Sequence, residues 1–181
     1  MDISEFTKEI GIQHCLEINP EVLVPEARVH SYCRENKCGN FGQSYMCPPH
    51  TGTLNEINIK LRKFSQGILL QYTVNVDVKH DWPGIRQSMV DFHHKILEAE
   101  VFLKTTGIND LWGITAGTCG LCEVCAAKSA KPCVYPDQAR ASMEALGIDV
   151  ISLLDNLGLA NQFYNDKITW TGCILFNTIS S

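Results

Sequence analysis

Seven of the chain's nine cysteines lie in two stretches that no helix or long strand would tolerate, and this limits the fold more than any other feature. The first, "YCRENKCGNFGQSYMCPPHTGT", carries Cys33, Cys38 and Cys47 among Gly39, Gly42, Pro48, Pro49 and Gly52. The second, "GTCGLCEVCAAKSAKPC", carries Cys119, Cys122, Cys125 and Cys133. Glycine and proline at this density favour turns and irregular backbone. The remainder of the chain must therefore form a scaffold that presents two cysteine loops, at about 30–52 and 117–136. With 181 residues in total, it can do so as a single domain, 1–181, with its own apolar core.

The scaffold is legible from caps and periodicity. Residues 2–10 read as a helix with Asp2 and Glu5 in capping-box positions, and 12–18 as a short strand. Thr53 and Glu56 form a second capping box, opening a helix to about Phe64. "GILLQYTVNVDV" (67–78) is a strand. Ile85, Met89, Phe92, Ile96 and Leu103 share one face of a long helix with Pro83 near its start and Gly107 past its end. "LWGITAG" (111–117) is a second strand, which completes a βαβ unit and predicts a parallel pair. Pro136 is expected to open a helix to Leu146, with Arg140 and Glu144 as an i, i+4 pair, and Asp149 to cap another ending at Gly158. "KITWTGCILFNT" (167–178) is the last strand. The predicted class is α/β: a small central sheet, flanking helices and two metal-binding loops at element ends.

The spacing in the second loop, C-x2-C-x2-C-x7-C, differs from the separated C-x2-C pairs usual for tetrahedral zinc. Three thiolates at steps of three can wrap three corners of an iron–sulfide cube, as in the opening of the bacterial ferredoxin pattern. A fourth cysteine seven residues on can complete the same cluster. Gly120 is expected to allow a sharp turn whose N–H groups point at cluster sulfurs, and Pro132 stiffens the approach to Cys133. In the first loop, C-x4-C-x8-C supplies only three thiols, and Pro48 follows Cys47 directly. A fourth ligand there is open among Cys15, Cys173, His50, Cys133 and an outside molecule. Cys15 and Cys173 sit in strand-like surroundings, where a structural thiol is the commoner outcome. Without a fourth protein ligand, the bare iron becomes a Lewis-acid or substrate-binding position.

With both loops in view, the sequence resembles a family of predicted metal-binding proteins of anaerobic bacteria and archaea, DUF2284. The resemblance is carried by "YCRENKCGNFGQSYMCPPHTGT", "CGLCEVCAAKSAKPCVYP" and "ARASMEALGIDV", in that order, and spans about residues 28–155. It implies metal binding at Cys33, Cys38, Cys47, Cys119, Cys122, Cys125 and Cys133, and does not imply a reaction. Ala141 departs from it, since proline is common there in the family. The case for iron–sulfur rests on spacing alone.

Composition and missing motifs narrow the function. The net charge of −5, with no basic run beyond Lys60, Arg62 and Lys63 at a helix end, argues against nucleic acid. No stretch approaches a membrane span, and "MDISEFTKEI" lacks the basic and apolar regions of a leader, so a cytoplasmic location is expected. In that compartment an odd count of nine cysteines points to metal or redox chemistry rather than disulfides. His93 and His94 diverge by about 100° on a helix, cannot share one metal and are expected at the surface or its boundary. Glu123 is expected to be solvated. There is no C-x3-C-x2-C, no P-loop and no G-x-G-x-x-G after a strand. The resulting expectation is one or two [4Fe–4S] clusters exchanging electrons with a redox partner protein in anaerobic metabolism. The alternatives are an enzyme or activating factor with an open iron site, and a structural zinc module.

Overall fold

The computed structural model describes residues 2–178. Helix α1 (Ile3–Glu9) starts where the Asp2 carboxylate accepts from the Glu5 amide and Glu5 accepts from the Asp2 amide. This reciprocal cap satisfies two donors that a helix start leaves free. Strand β1 (His14–Ile18) follows, then helix α2 (Ala27–Arg34) and helix α3 (Leu54–Leu61), whose Thr53–Glu56 cap repeats the arrangement of α1. Strand β2 (Gln66–Asn75), helix α4 (Trp82–Thr105, capped by Asp81) and strand β3 (Leu111–Ile114) come next. Helix α5 (Val150–Asn156), capped by Asp149, and strand β4 (Lys167–Phe176) complete the order.

The sheet order is β1-β2-β4-β3, and every pairing is antiparallel. Strands β2 and β3 run in the same direction, as a βαβ unit requires, but they do not pair. Strand β4 lies between them, with Cys173 opposite both Leu69 and Ile114. The expected parallel pair is thus replaced by two antiparallel ladders.

Alternation along the strands sorts the core onto two faces. On one, Ile68, Leu70 and Ile174 pack with Phe92, Ile96 and Leu103 of α4. On the other, Leu69, Cys173 and Leu175 meet Ile57 and Leu61 of α3, Leu153 and Leu154 of α5, and the segment Met143–Ile148. Full burial of each such aliphatic side chain is worth about 1.5–3 kcal/mol. No helix among the described residues is long and apolar enough to cross a membrane.

One expected helix does not form. Between Pro136 and Leu146 the only helical turn is a 3-10 turn at Glu144–Leu146, stopped by Gly147 at φ +82°. The Thr115 amide donates to Ala141 O at 2.9 Å and the Met143 amide to Thr115 O at 3.3 Å, so this backbone extends the end of β3 instead. Arg140 accordingly pairs not with Glu144 but with Glu100 on α4.

Candidate metal centre

The second cysteine loop leaves the end of β3 and lies over α4. Gly117 launches it at φ +70°, where a Cβ would also meet Met89 Sδ at 2.7 Å. Gly120 serves differently from the sharp turn expected of it. It does not take up a left-handed conformation, and a Cβ there would meet Val90 Cγ2 at 2.7 Å and Met89 Cε at 3.1 Å. The glycine therefore permits close approach to the helix rather than a special backbone angle.

Three contacts close the neck of this loop. Thr115 pairs with the 141–143 backbone, as described above. The buried His93 donates Nε2–H to Gln138 O at 2.9 Å, and burial pushes its pKa down, keeping the ring neutral. His93 is thus a core residue, not the surface or boundary histidine expected, because the loop covers α4 at that point. The Arg140 guanidinium donates to both carboxylate oxygens of Glu100, Nε to Oε1 at 2.8 Å and Nη2 to Oε2 at 2.6 Å.

Inside this neck, Cys119, Cys122, Cys125 and Cys133 line one small cavity with Leu121, Ala126, Val134 and Met46. About 20 Å³ of space remains between them, room for roughly one water. Among the described residues, no three His, Cys, Asp or Glu side chains converge tightly enough to grip a single ion. Burial raises the Cys119 pKa; the Leu121 amide donates to this thiol and opposes the rise, while the neighbouring thiols Cys133, Cys125 and Cys122 add to it. Among the described residues, no amide from Gly117 to Cys125 donates to a backbone carbonyl. Of these N–H groups, Thr118 donates to Met89 Sδ at 3.4 Å and Leu121 to the Cys119 thiol. Four thiols beside Leu121, Ala126 and Val134 make an all-sulfur donor set, of the kind that iron–sulfur clusters and structural zinc both take.

The first loop begins inside α2, whose last turn holds Cys33, so the irregular segment starts later than expected. Cys38 is exposed and Cys47 is buried. Cys33 Sγ lies 3.9 Å from Glu144 O, and Cys47 Sγ 3.6 Å from Thr118 Oγ1. Burial raises the pKa of both, and Cys38 adds to each, which places the three thiols in one electrostatic neighbourhood. The loop is pinned to the Glu144–Leu146 turn: His30 Nε2–H and Thr51 Oγ1–H both donate to Ala145 O, at 3.0 and 3.1 Å.

The two loops also touch each other. Besides the Cys47–Thr118 contact, Tyr45 donates its hydroxyl to Lys131 O at 2.8 Å, and the Cys47 thiol feels the charge of Cys125. Of the candidate fourth ligands, His50 is exposed, with Nε2 directed at Gly42 O at 3.4 Å. Cys173 is wholly buried in the centre of the sheet, and burial alone drives its pKa far up. Cys15 lies on β1 beside Thr7, and the charges it feels are those of Asp2, Glu17 and Lys8 rather than of any thiol. The structure therefore groups Cys33, Cys38 and Cys47, groups the other four beside them, and keeps Cys15 and Cys173 apart. Thr118, Tyr45, Met89 and Val90, which shape the site, have no motif that would single them out in sequence.

The model of the family described as predicted metal-binding protein (DUF2284) matches residues 16–176. The chain belongs to this family. The match takes in both cysteine loops and all four strands of the sheet except the first two residues of β1. No curated protein and no solved structure matches the chain.

Proposed function

We propose that this family member is an iron–sulfur protein that carries one or two [4Fe–4S] clusters and passes electrons to or from a partner enzyme. The observation that carries the reading is the gathering of Cys119, Cys122, Cys125 and Cys133 around one apolar cavity, inside a clamped neck whose amides lack backbone acceptors. When bound, a cluster supplies a one-electron relay at a potential set by hydrogen bonds to its sulfurs and by solvent exposure. The residues of this chain supply the rest. Leu121 and Ala126 give the cavity apolar walls, and the Gly117–Cys125 amides, with Thr118 donating to Met89 Sδ instead, make no hydrogen bond to a backbone carbonyl among the described residues. Only about 20 Å³ lies between the thiols, so accepting a cluster requires this segment to rearrange around it. The rearrangement breaks no backbone hydrogen bond donated from Gly117 to Cys125, because among the described residues none is made. A second centre at Cys33, Cys38 and Cys47 would lie directly against the first, because Cys47 touches Thr118.

A second reading has its own support. Cys15 and Cys173 stand apart from the Cys33 group, so that group offers three thiols and an open fourth position. An iron left without a protein ligand can bind substrate, which makes the centre catalytic rather than a carrier. The cytoplasm of an anaerobic cell is the setting that suits either form.

The test is metal and sulfide per chain after strictly anaerobic purification, with EPR of the reduced protein. About eight iron and eight sulfide with coupled signals are expected for two clusters, and about four of each for one. Zinc with no labile sulfide would overturn the iron–sulfur reading and leave a structural zinc site. A Cys125→Ser variant should lose the C-terminal cluster while retaining the other.

A further inference from the structure

The face of the sheet that carries Leu69 and Cys173 does not stay apolar to its end. Two residues further along each strand it presents Gln71 and Thr171, directly paired in register and 3% and 6% exposed. They form the floor of a cavity of about 430 Å³ that has no part in the cysteine sites. Its walls are Val29 of α2, Ile148, and Val150 and Leu154 of α5. Its rim is the irregular segment 160–164. The volume falls in the range of small-molecule sites, and so does the pattern of apolar walls around a few convergent polar groups.

The floor is chemically incomplete. A carboxamide has two N–H donors and an oxygen with two lone pairs. Among the described residues, the Gln71 side chain makes one hydrogen bond, Nε2 to Thr171 Oγ1 at 3.3 Å. Gln71 thus keeps donor and acceptor capacity at the cavity floor that an entering molecule could take up. The cations around the cavity already have contacts. Arg28 is bound by Glu26 at 2.7 Å and Asp149 at 2.5 Å, and Lys167 sits 4.0 Å from the centre of the Tyr164 ring. Among the described lining residues, then, Arg28 is ion-paired and Lys167 is held against the Tyr164 ring.

We propose that this cavity binds a small, uncharged, largely apolar organic molecule whose carbonyl or carboxamide head seats on the Gln71–Thr171 pair. Glu144 links the cavity to the first cysteine loop, since it lines the cavity and its carbonyl lies 3.9 Å from Cys33 Sγ. A substrate role for the bound molecule rests on the open-iron reading above; the binding itself does not.

The experiment is ligand-observed NMR on anaerobically purified protein with benzamide, benzoate and toluene as probes, and iron counted on the same sample. Benzamide is expected to bind one site, at least tenfold more tightly than benzoate or toluene. Gln71→Leu should weaken benzamide at least tenfold while leaving toluene unchanged. Ala160→Trp, at the exposed rim, should block all three probes without altering the unfolding curve. Absence of saturable benzamide binding, or equal binding by Gln71→Leu, would overturn the site whatever the iron content. Benzamide binding in a protein without iron would keep the site and remove only its link to a cluster.

Discussion

Replacing Arg140 by leucine tests whether the neck of the second cysteine loop is held by charge. Glu100 is 2% exposed and lies under the guanidinium. Besides Arg140, its Oε1 accepts only the Gly113 amide, at 2.8 Å, among the described residues. In Arg140→Leu the carboxylate is left buried with that single donor. Removing one partner of a buried pair costs about 3–5 kcal/mol, and the surviving Gly113 bond places this case toward the lower figure. Against a total stability of about 5–15 kcal/mol this is a large loss. At roughly 2–4 °C per kcal/mol for a chain of this size, the midpoint should fall by about 6–20 °C. The assay is thermal unfolding of variant and parent at matched metal content, since bound metal itself adds stability. A double variant, Glu100→Leu with Arg140→Leu, should recover much of the loss, because it leaves no charge buried. A loss below about 1 kcal/mol for Arg140→Leu, the scale of an exposed pair, would refute the reasoning. So would a double variant no more stable than the single one.

Other consequences follow from the same geometry. Gly120→Ala should cost about 1–3 kcal/mol and lower iron retention, because its Cβ meets the stiff Val90 side chain at 2.7 Å; urea unfolding and iron per chain measure both. Cys173→Ala should leave the metal count unchanged while costing about 1–2 kcal/mol, and a loss of iron would make Cys173 a ligand after all. Asp149 is held down to about 2, first by the Ser152 hydroxyl, then by the Ser152 amide and Arg28. A carboxylate depressed in this way contributes stability above its unfolded value near 4, and that contribution disappears as pH falls from about 4 to about 2. Melts of the metal-free chain across that window should show a steeper loss than in Asp149→Asn.

The parts of the fold legible in sequence were those decided locally. The Asp2–Glu5 and Thr53–Glu56 capping boxes, the Asp149 cap and the apolar face of α4 all appear where their residues predicted. What escaped was decided at long range. The segment from Pro136 has helix-forming residues, yet its backbone joins Thr115 and its arginine is drawn to Glu100, forty positions away in sequence. Strand β4 carries no mark of its place between β2 and β3, because periodicity reports which face is buried and not which neighbour is paired. Helix α2 was hidden for another reason. Glu26 makes no side-chain cap, and its amide instead donates to Gly147 O, so nothing local announced a helix running into Cys33. In the site, the spacing of the thiols was readable, whereas the helix surface beneath them and the polar floor at Gln71 and Thr171 exist only once the strands are side by side.

The central position of β4 also orders events during synthesis. Both cysteine loops are translated before Lys167–Phe176, and until that strand arrives β2 and β3 have no shared neighbour. At roughly 5–20 residues per second, the stretch from Cys133 to Phe176 takes several seconds to make. Throughout that interval all seven loop thiols are on the nascent chain while the sheet behind them is incomplete. Only once β4 has taken its place between β2 and β3 is the platform beneath both loops complete.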